Sequence, residues 1–537
     1  MDQTFFQSPR LARIREATTG SFDLVILGGG IHGACTAREA ALQGYRVLLL
    51  EAQDFGQGTS SRSSKLLHGG IRYLENGDLR LVYEALHERE RIRRQAPHLT
   101  ATTPLLFPEI EGSTRPAWQL GIGMRLYDGL SRFWSPVQHS SFPRHRRVAP
   151  GEPEAQRLRS MGLRFGACFR FYDGQMDDAR LVIENIVDAA ECGAVTLNHA
   201  RVLTVQRVPE GKVRWRVDWE DAAGRHQTRA ASIANLTGSW APSVVSTVFS
   251  EPYTHWKSHW PTPYYSRGTH LLFDHPWQGP GLVLPTERKG GVYFVLPFLT
   301  AWGAATLVGT TDVAVGANEA NPEPSEAEVE TLFERLEKHL PYAPLAAHKP
   351  YGQFAGMRIL AGSDRSLTKT VTAISREEAL LEQDYCVHLI GGKYTTARRT
   401  AEQVIAAIQR LLGHRVSSSR TRTRPLPGGD GWTDHGARGL QAALCAGDAE
   451  LSAAAESFVR VFGMRANQFV TAEHPHTFRT LFERVIRYCV DVEQARDAAD
   501  LLRRLSLDKA PPSATREVRD LMREVGQHTA PSPLAER

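Results

Sequence analysis

Several features that assign a protein to a specialised class are scarce in this 537-residue sequence. It has six cysteines and no C-x-x-C pair, which argues against a disulfide scaffold or a zinc site and favours a reducing compartment. No apolar run approaches the roughly 18 residues of a spanning helix, so we predict none. The first twenty residues lack the basic and then apolar segments of a secretory signal. We therefore expect a cytoplasmic protein.

The excess of positive over negative charge is also small. Sixty-four lysines and arginines against 59 aspartates and glutamates leave a formal net charge of +5. This is too little over such a length to indicate a nucleic-acid partner. It suits an anionic small molecule and contact with an anionic membrane surface equally well. Hydrophobic residues at 42% and charged residues at 23% indicate an ordinary globular protein, and no motif predicts a bound metal.

What the sequence does contain is a strand–turn–helix–strand pattern near its start. The apolar run 23–27 ends at three consecutive glycines, Gly28 to Gly30. Residues 32–43 then place alanines at helical spacing, and a second apolar run follows at 45–50. Because the crossover helix makes the two strands parallel, the pattern predicts a βαβ unit.

The turn of this unit carries a dinucleotide-binding motif. Its glycines are Gly28, Gly30 and Gly33, and Glu51 lies 23 residues after the first of them. In such motifs the glycines permit the tight turn, the approach of a pyrophosphate and close packing of helix on strand. The acidic residue accepts a hydrogen bond from a ribose hydroxyl and disfavours a ribose 2′-phosphate. We therefore predict a bound dinucleotide, which the motif alone does not identify as FAD or NAD.

A hydroxyl-rich segment follows Glu51 and favours a flavin dinucleotide. Its backbone amides and hydroxyls are suited to a second phosphate and a ring system, although an N-cap within a polar loop is the alternative. We take as cofactor-binding candidates Thr59, Ser60, Ser61, Ser64, Lys65 and Leu66.

Elsewhere the sequence patterns predict helices, strands and a linker that carry no binding or catalytic motif. They are a helix over 178–191, mostly strands over 193–260, short β-like runs over 265–312, a capped helix opening at Ser325, a helix over 398–412, a linker at 425–431 and a nearly all-helical remainder.

These residues together resemble the FAD-dependent glycerol-3-phosphate dehydrogenase and oxidase family. The resembling blocks run in family order over about residues 20–525: GGGIHGA, TSSRSSKLLHGGIRYLE, LVYEALHER, MDDARL, NLTGSW, GTTD and GGKYTT. The chain departs from the family at His32, where Asn is usual, at 356–360, where GMRIL replaces GVRPL, and at 250–300, which matches poorly.

The resemblance implies an α/β fold. An FAD-binding, Rossmann-like parallel sheet is interleaved with a mostly antiparallel substrate-domain sheet, and a C-terminal all-helical cap domain follows. The core would span 20–415 and the cap 425–537. Within the core, the FAD-binding segments would be about 20–110, 170–255 and 350–415, and the substrate segments about 111–169 and 256–349.

The resemblance also implies a reaction, in which a hydride moves from C2 of sn-glycerol 3-phosphate to flavin N5 and dihydroxyacetone phosphate forms. A dianionic phosphate needs cations, so Arg358 is the first candidate anchor and Arg267 the second. His68 is the candidate for accepting the hydroxyl proton or polarising the hydroxyl. Arg72 is suited to the substrate or the reduced flavin, and Lys393 to the flavin or the phosphate.

Further cofactor-binding candidates come from two family blocks near strand ends. They are Thr237 and Gly238 in the first block, and Gly392, Lys393 and Thr395 in the second. The helix that begins near Thr395 points its positive end towards the expected flavin.

The sequence leaves several alternatives open. The electrons can pass to a quinone, which requires peripheral contact with the inner face of the cytoplasmic membrane, or to O₂ as in an oxidase. A related flavin amine or amino-acid oxidase would need one arginine for a carboxylate rather than several cations. A flavoprotein kept for binding without turnover is the alternative outside enzymes. The cap suits either homodimerisation or membrane docking.

Overall fold

The computed structural model describes residues 8–111, 115–132, 140–250, 262–288, 290–316, 322–362, 378–445, 449–470 and 478–512. The C-terminal part of the predicted cap, 513–537, lies outside these residues.

The first sheet is built on the predicted βαβ unit. Its strands are β1 (Ser21–Leu27), β2 (Val47–Leu50), β7 (Val195–Leu197), β8 (Arg201–Glu210), β9 (Val213–Asp221), β10 (Gly224–Asn235), β17 (Ala379–Gln383) and β18 (Cys386–Ile390). The strand order is β17-β18-β10-β1-β2-β7, with β9 also on β10 and β8 on β9. The run from β18 to β7 is parallel. Within it, the helix Ile31–Leu42 forms the crossover between β1 and β2.

The second sheet is antiparallel except where β12 pairs with β4. Its strands are β3 (Leu66–Leu67), β4 (Thr100–Ile110), β5 (Arg146–Val148), β6 (Phe165–Met176), β11 (Thr262–Phe273), β12 (Gly281–Pro285), β13 (Val292–Thr300), β14 (Gly303–Gly309), β15 (Val313–Val315) and β16 (Gly352–Gly362). The two sheets confirm the predicted α/β class. The first has a parallel run of five strands flanked by the antiparallel strands β17, β9 and β8, and the second is mostly antiparallel.

Helices pack on both sheets, and the last of them follow the sheets at the C-terminal end. They are α1 (Ser8–Thr18), α2 (Ile31–Leu42), α3 (Leu79–Gln95), α4 (Ala117–Arg132), α5 (Pro153–Ser160), α6 (Asp178–Glu191), α7 (Ala241–Thr247), α8 (Glu326–His339), α9 (Ala397–Leu411), α10 (Asp434–Cys445), α11 (Ala449–Phe462), α12 (Phe478–Asp491) and α13 (Ala498–Arg504). The alanine face of α2 packs against α6 and α9 in one buried core with β1 and β2. Within the described residues, no helix is both long and apolar enough to cross a bilayer.

The C-terminal helices have a core of their own. Apolar side chains of α10, α11 and α12 bury one another around Phe458 and Phe462. The predicted linker is packed rather than loose, since Gly428 and Gly429 are buried and the Gly428 amide donates to Glu184 at 2.8 Å. The division into a core and a helical cap domain stays a prediction.

Two segments differ from the boundaries that we predicted. Strands β3 and β4 lie in the segment assigned to the FAD-binding part, and β16 lies in its last segment, yet all three pair within the second sheet. Helix α7 interrupts the region expected to be mostly strands. Strand pairing depends on partners more than 60 residues away, here Thr100 with Met176, which local patterns do not show.

Candidate active site

A cavity of about 1070 Å³ lies at the carboxyl ends of β1, β2 and β10 and extends to the second sheet. Gly28 and Glu51 line it at the parallel sheet, whereas Asp312 and Arg358 line it at the antiparallel sheet. Ligands of open α/β sheets bind at this edge of the strands. One cavity therefore joins the predicted dinucleotide motif to the predicted anion site.

The glycine turn has no room for side chains. Gly28 has a φ of +101°, and a Cβ there would lie 2.8 Å from the Leu236 carbonyl oxygen. A Cβ on Gly33 would lie 1.9 Å from the Gly28 carbonyl oxygen, so only glycine lets α2 start this close to β1. Because α2 begins at the cavity, its positive end faces the space that a pyrophosphate requires. The turn fits a bound dinucleotide.

Glu51 is held at the end of β2 by backbone amides. Its Oε2 accepts from the Gly29 N–H at 2.6 Å, and its Oε1 accepts from the Gln53 N–H at 2.8 Å. Burial raises the pKa of this carboxyl, while the two amides act in the opposite direction. The carboxylate is thus fixed at the cavity wall, where a ribose hydroxyl is expected.

The hydroxyl-rich segment links α2 to the second sheet across the cavity. The Ser60 Oγ accepts from the Ile31 N–H at 3.0 Å, and the Thr59 Oγ1 donates to the Met357 carbonyl at 2.6 Å. Thr59, Ser60 and Leu66 line the cavity. Their placement agrees with the predicted role in cofactor binding.

Two residues of the same segment face the protein interior instead. The Lys65 ammonium pairs with the Asp178 carboxylate and donates to the Ser61 carbonyl at 2.8 Å. Neither Lys65 nor Ser61 is among the cavity-lining residues, and both are buried. The structure therefore gives them a role in holding the loop, and we no longer place them in contact with the cofactor.

Four basic residues from three segments that are distant in sequence line the same cavity: His68 and Arg72, Arg358, and Lys393. The Lys393 Nζ lies 3.7 Å from the centre of the Tyr73 ring, and the Arg72 guanidinium carbon lies 5.7 Å from it. The Tyr73 ring therefore holds two of the four cations near each other.

Arg358 is anchored from several sides. Its guanidinium donates to the Thr310 hydroxyl at 2.9 Å and to Asp312 at 3.3 Å. A Cβ on Gly268 would lie 2.4 Å from an Arg358 nitrogen, and a Cβ on Gly356 would lie 2.6 Å from the Arg62 carbonyl oxygen. The two glycines lie opposite each other on β11 and β16. Gly268 makes room for the Arg358 guanidinium, and Gly356 makes room for the backbone of Arg62.

Arg267 points away from this group. Its Nε donates to the Glu328 carboxylate at 2.7 Å, and the side chain is not among those lining the cavity. In the β11–β16 register Ser266 lies opposite Arg358, while Arg267 lies opposite Met357. Because alternate residues of a strand face opposite sides, Arg267 and Arg358 cannot share one face. We therefore leave Arg267 out of the substrate site.

The remaining cofactor candidates lie at the cavity wall. Thr237, Gly238, Gly392 and Thr395 line it, close to the ends of β10 and β18. The Thr395 Oγ1 donates to the His68 carbonyl at 3.4 Å, which ties the loop before α9 to the HGG segment. The helix α9 begins at Ala397, one residue before the predicted span 398–412 and two residues after Thr395, with its N-terminus next to this wall.

His270 is a cavity residue that our sequence candidates did not include. Its Nε2 shares a hydrogen bond of 2.8 Å with the Ser64 hydroxyl, and its ring stacks on Phe354. Burial lowers the pKa of His270 well below its ordinary value, and the charges of Arg358 and Lys65 lower it further. The ring is therefore neutral near pH 7. His270 lies four residues after Ser266 along β11 and so faces the same side of the sheet, and this spacing was the only signal available.

A buried polar network behind the HGG segment was also missed. The Gly69 N–H donates to the Tyr127 hydroxyl at 2.8 Å, and this hydroxyl donates to Asp173 at 2.8 Å. Asp173 also pairs with Arg89. Burial raises the pKa of the Asp173 carboxyl, against the effect of Arg89. The network fixes the backbone next to His68 and has no local sequence signature.

Comparisons with known proteins agree with this arrangement. A family model described as FAD dependent oxidoreductase matches residues 23–391. The chain is 30% identical over 507 residues to glycerol-3-phosphate dehydrogenase of Pseudomonas aeruginosa, covering 90% of this chain and 91% of that protein. It is 31% identical over 423 residues to D-erythritol 1-phosphate dehydrogenase of Brucella abortus, covering 76% and 77%.

A solved structure extends the likeness of fold to nearly the whole chain. It is the glycerol-3-phosphate dehydrogenase from Bacillus halodurans complexed with FAD, which matches with a TM-score of 0.69 at 20% identity. The match covers 99% of this chain and 100% of that one. The family resemblance of the motifs is thereby confirmed. The chain belongs to the FAD-dependent oxidoreductase family, together with the glycerol-3-phosphate dehydrogenases, and it is an oxidoreductase whose cofactor is FAD.

Proposed function

We propose that this protein oxidises sn-glycerol 3-phosphate to dihydroxyacetone phosphate and passes the electrons to a quinone. The observation that carries the proposal is that His68, Arg72, Arg358 and Lys393 line the cavity that begins at the dinucleotide turn. Several cations around one space suit a dianionic phosphate better than the single carboxylate of an amino acid.

Arg358 is the residue that we assign to the substrate phosphate. Thr310 and Asp312 fix its guanidinium on one side, and its planar fork suits two phosphate oxygens. Asp312 would repel a phosphate, so the anion is expected on the side of the guanidinium away from Asp312. A substrate anchored there presents its carbon chain to the remainder of the cavity.

His68 is the residue that we assign to the proton of the C2 hydroxyl. A histidine with an ordinary pKa near 6.5 can accept a proton near neutral pH. When bound, FAD supplies the acceptor for the hydride that leaves C2. Loss of the hydride and the proton converts the secondary alcohol to a ketone. Arg72 and Lys393 hold positive charge next to this reaction, where negative charge develops.

Anaerobic bleaching of the flavin absorbance tests the substrate. The purified holoenzyme is mixed in separate experiments with glycerol 3-phosphate, D-erythritol 1-phosphate, sarcosine and a D-amino acid. We expect bleaching with glycerol 3-phosphate at the lowest concentration. Preference for the four-carbon phosphate would keep the reaction class and change the substrate, whereas bleaching by an amine alone would overturn the proposal.

The surface of α4 supports a peripheral membrane contact and hence a quinone as acceptor. Trp118 and Ile122, one turn apart, are 69% and 54% exposed. Arg125 and Arg147 line the same surface depression. Exposed apolar groups beside arginines suit the surface of an anionic bilayer. Ile122 also lines the cofactor cavity, so α4 lies between that cavity and the surface.

Two measurements test this part of the proposal. After bleaching by substrate, a short-chain quinone should reoxidise the flavin faster than air-saturated buffer does. The protein should also sediment with anionic phospholipid vesicles, and the variant with both Trp118→Ser and Ile122→Ser should not. Fast reoxidation by O₂ with release of hydrogen peroxide would favour the oxidase instead.

A further inference from the structure

The turn between β12 and β13, residues 286–291, lies at one end of the cavity. Its first and last residues line the cavity together with Arg288, and Arg288 is also exposed to solvent. A Cβ on Gly290 would lie 3.9 Å from an Arg115 nitrogen, so the turn reaches the segment just before α4. Because Arg288 is accessible both from the cavity and from bulk water, the turn borders an opening of the cavity.

Arg288 lies close to the residue that we assigned to the substrate phosphate. Its Nη1 donates to the Asp312 backbone carbonyl at 2.7 Å, whereas Arg358 donates to the Asp312 carboxylate at 3.3 Å. The two guanidinium groups thus contact the same residue, one from the opening and one from inside the cavity. An anion that reaches Arg288 is therefore next to Arg358.

Arg288 also supplies positive charge in excess of the ion pairs around the opening. Four carboxylates of this part of the wall and of the turn each pair with an arginine of their own: Glu75 with Arg115, Glu287 with Arg335, Asp312 with Arg358, and Glu328 with Arg267. Among the described residues, Arg288 forms no ion pair, and its hydrogen-bond partner is the uncharged Asp312 carbonyl. Since a guanidinium has five N–H donors, Arg288 retains donors for an anion.

We propose that Arg288 captures the phosphate group of the substrate at the opening, before Arg358 binds it inside. The inference rests on the proposed function, because it requires an anionic substrate, and it adds the residue that controls how fast that substrate enters. Exposed positive charge at a cleft raises the local concentration of an anion and its rate of association. Because Arg288 acts before the reaction, its loss should impair capture and spare hydride transfer.

Anaerobic flavin bleaching of the holoenzyme in a stopped-flow instrument separates the two steps. The second-order rate constant at low glycerol 3-phosphate concentration reports capture, and the limiting rate constant at saturating substrate reports hydride transfer. Arg288→Gln should lower the first about three- to tenfold and leave the second within about twofold. Raising the ionic strength from about 0.01 M to about 1 M shortens the screening length from about 30 Å to about 3 Å, which should abolish most of the difference.

Two further variants distinguish the charge of Arg288 from a structural role. Arg288→Lys keeps the charge and should retain most of the capture rate. Arg225→Gln is the matched control, because it removes an equal charge from an exposed position of β10 that does not line the cavity, and it should change neither rate constant.

Three results would overturn the inference. They are an unchanged capture rate in Arg288→Gln, a lower limiting rate in that variant, and an equal loss of capture in Arg288→Lys, which would assign Arg288 to fixing the Asp312 segment. Each of them leaves the proposed function standing, since the unmodified enzyme still bleaches with glycerol 3-phosphate. Failure of every phosphate ester to bleach the unmodified enzyme would refute the proposed function and the inference together.

Discussion

The Arg504 guanidinium donates to both carboxylate oxygens of Asp54, each at 2.7 Å, in an ion pair that is completely buried. Arg504 ends α13, and Asp54 lies three residues after Glu51. Arg503 and Asn198 each donate to Asp54 at 2.9 Å. The C-terminal helices are thereby joined to the loop that follows Glu51.

Replacing Arg504 by Met should destabilise the protein strongly. The substitution leaves the Asp54 carboxylate buried beside a weaker set of partners, and such losses cost about 3–5 kcal/mol. We expect a lower thermal unfolding midpoint and weaker retention of FAD. Glu152→Gln, which breaks the exposed pair of Glu152 with Arg146, is the control and should change little. Equal stability of the Arg504 variant and the control would contradict this assignment.

The same pair predicts how stability changes in acid. Burial alone would raise the pKa of Asp54, but Arg504 and Arg503 hold it well below its ordinary range. The unfolded chain takes up a proton near its ordinary pKa of about 3.9, whereas the folded carboxylate does not. The free energy of unfolding should therefore decrease as the pH falls from about 5 to 3. Asp54→Asn should show a shallower decrease in chemical denaturation, and an unchanged slope would be inconsistent with this mechanism.

Arg358→Ala should raise the KM for the phosphate substrate. A lost charged hydrogen bond is worth about 1.5–3 kcal/mol, or roughly one to two decades. Arg267→Gln is the informative comparison. Arg267 follows Ser266, the residue of β11 that lies opposite Arg358, and its side chain donates to Glu328. We expect its KM to stay close to that of the unmodified enzyme. Steady-state kinetics with both variants would refute the assignment if the two changed KM alike.

His68→Ala should lower kcat by about 10²–10⁴ if His68 accepts the hydroxyl proton. The effect should appear in the rate of anaerobic flavin bleaching in a stopped-flow instrument. The substrate concentration that gives half of the maximal bleaching rate should change little. A loss smaller than tenfold would leave His68 with an orienting role at most.

Tyr127→Phe tests the network behind the HGG segment. The change removes the hydroxyl that accepts from Gly69 and donates to Asp173, and a lost buried hydrogen bond costs about 1–3 kcal/mol. We expect a lower thermal midpoint together with a reduced kcat, because the backbone next to His68 loses its support. Tyr45→Phe, at an exposed hydroxyl that bonds His414, should alter neither.

Local signals predicted the elements over residues 23–50 and several helices closely. The glycine spacing yields the βαβ unit, the pattern over 178–191 coincides with α6, and the capping box at Ser325 is present at the start of α8. Each of these depends on neighbours within a few residues. The pairing of β4 in the second sheet does not, and it escaped prediction.

The site residues that belong to recognisable sequence motifs could be predicted, and the others could not. His68, Arg72, Arg358 and Lys393 belong to blocks with recognisable sequence, and all four line the cavity. The position of Arg267 depends on the register of β11 on β16, which fixes the face of every residue along both strands. His270 owes its place to the same register, so no inspection of its own neighbours would identify it.

Gly268 on β11 couples two distant positions of the chain. A Cβ at 268 would lie 2.4 Å from both an Arg358 nitrogen and the Thr310 Oγ1, so a chain that keeps the arginine must keep the glycine. A lineage that exchanges the arginine for a smaller residue loses one of the two contacts that exclude a side chain at 268, and the contact with Thr310 remains. Variation at 268 and 358 should therefore be correlated among descendants of this sequence, although 90 positions separate them.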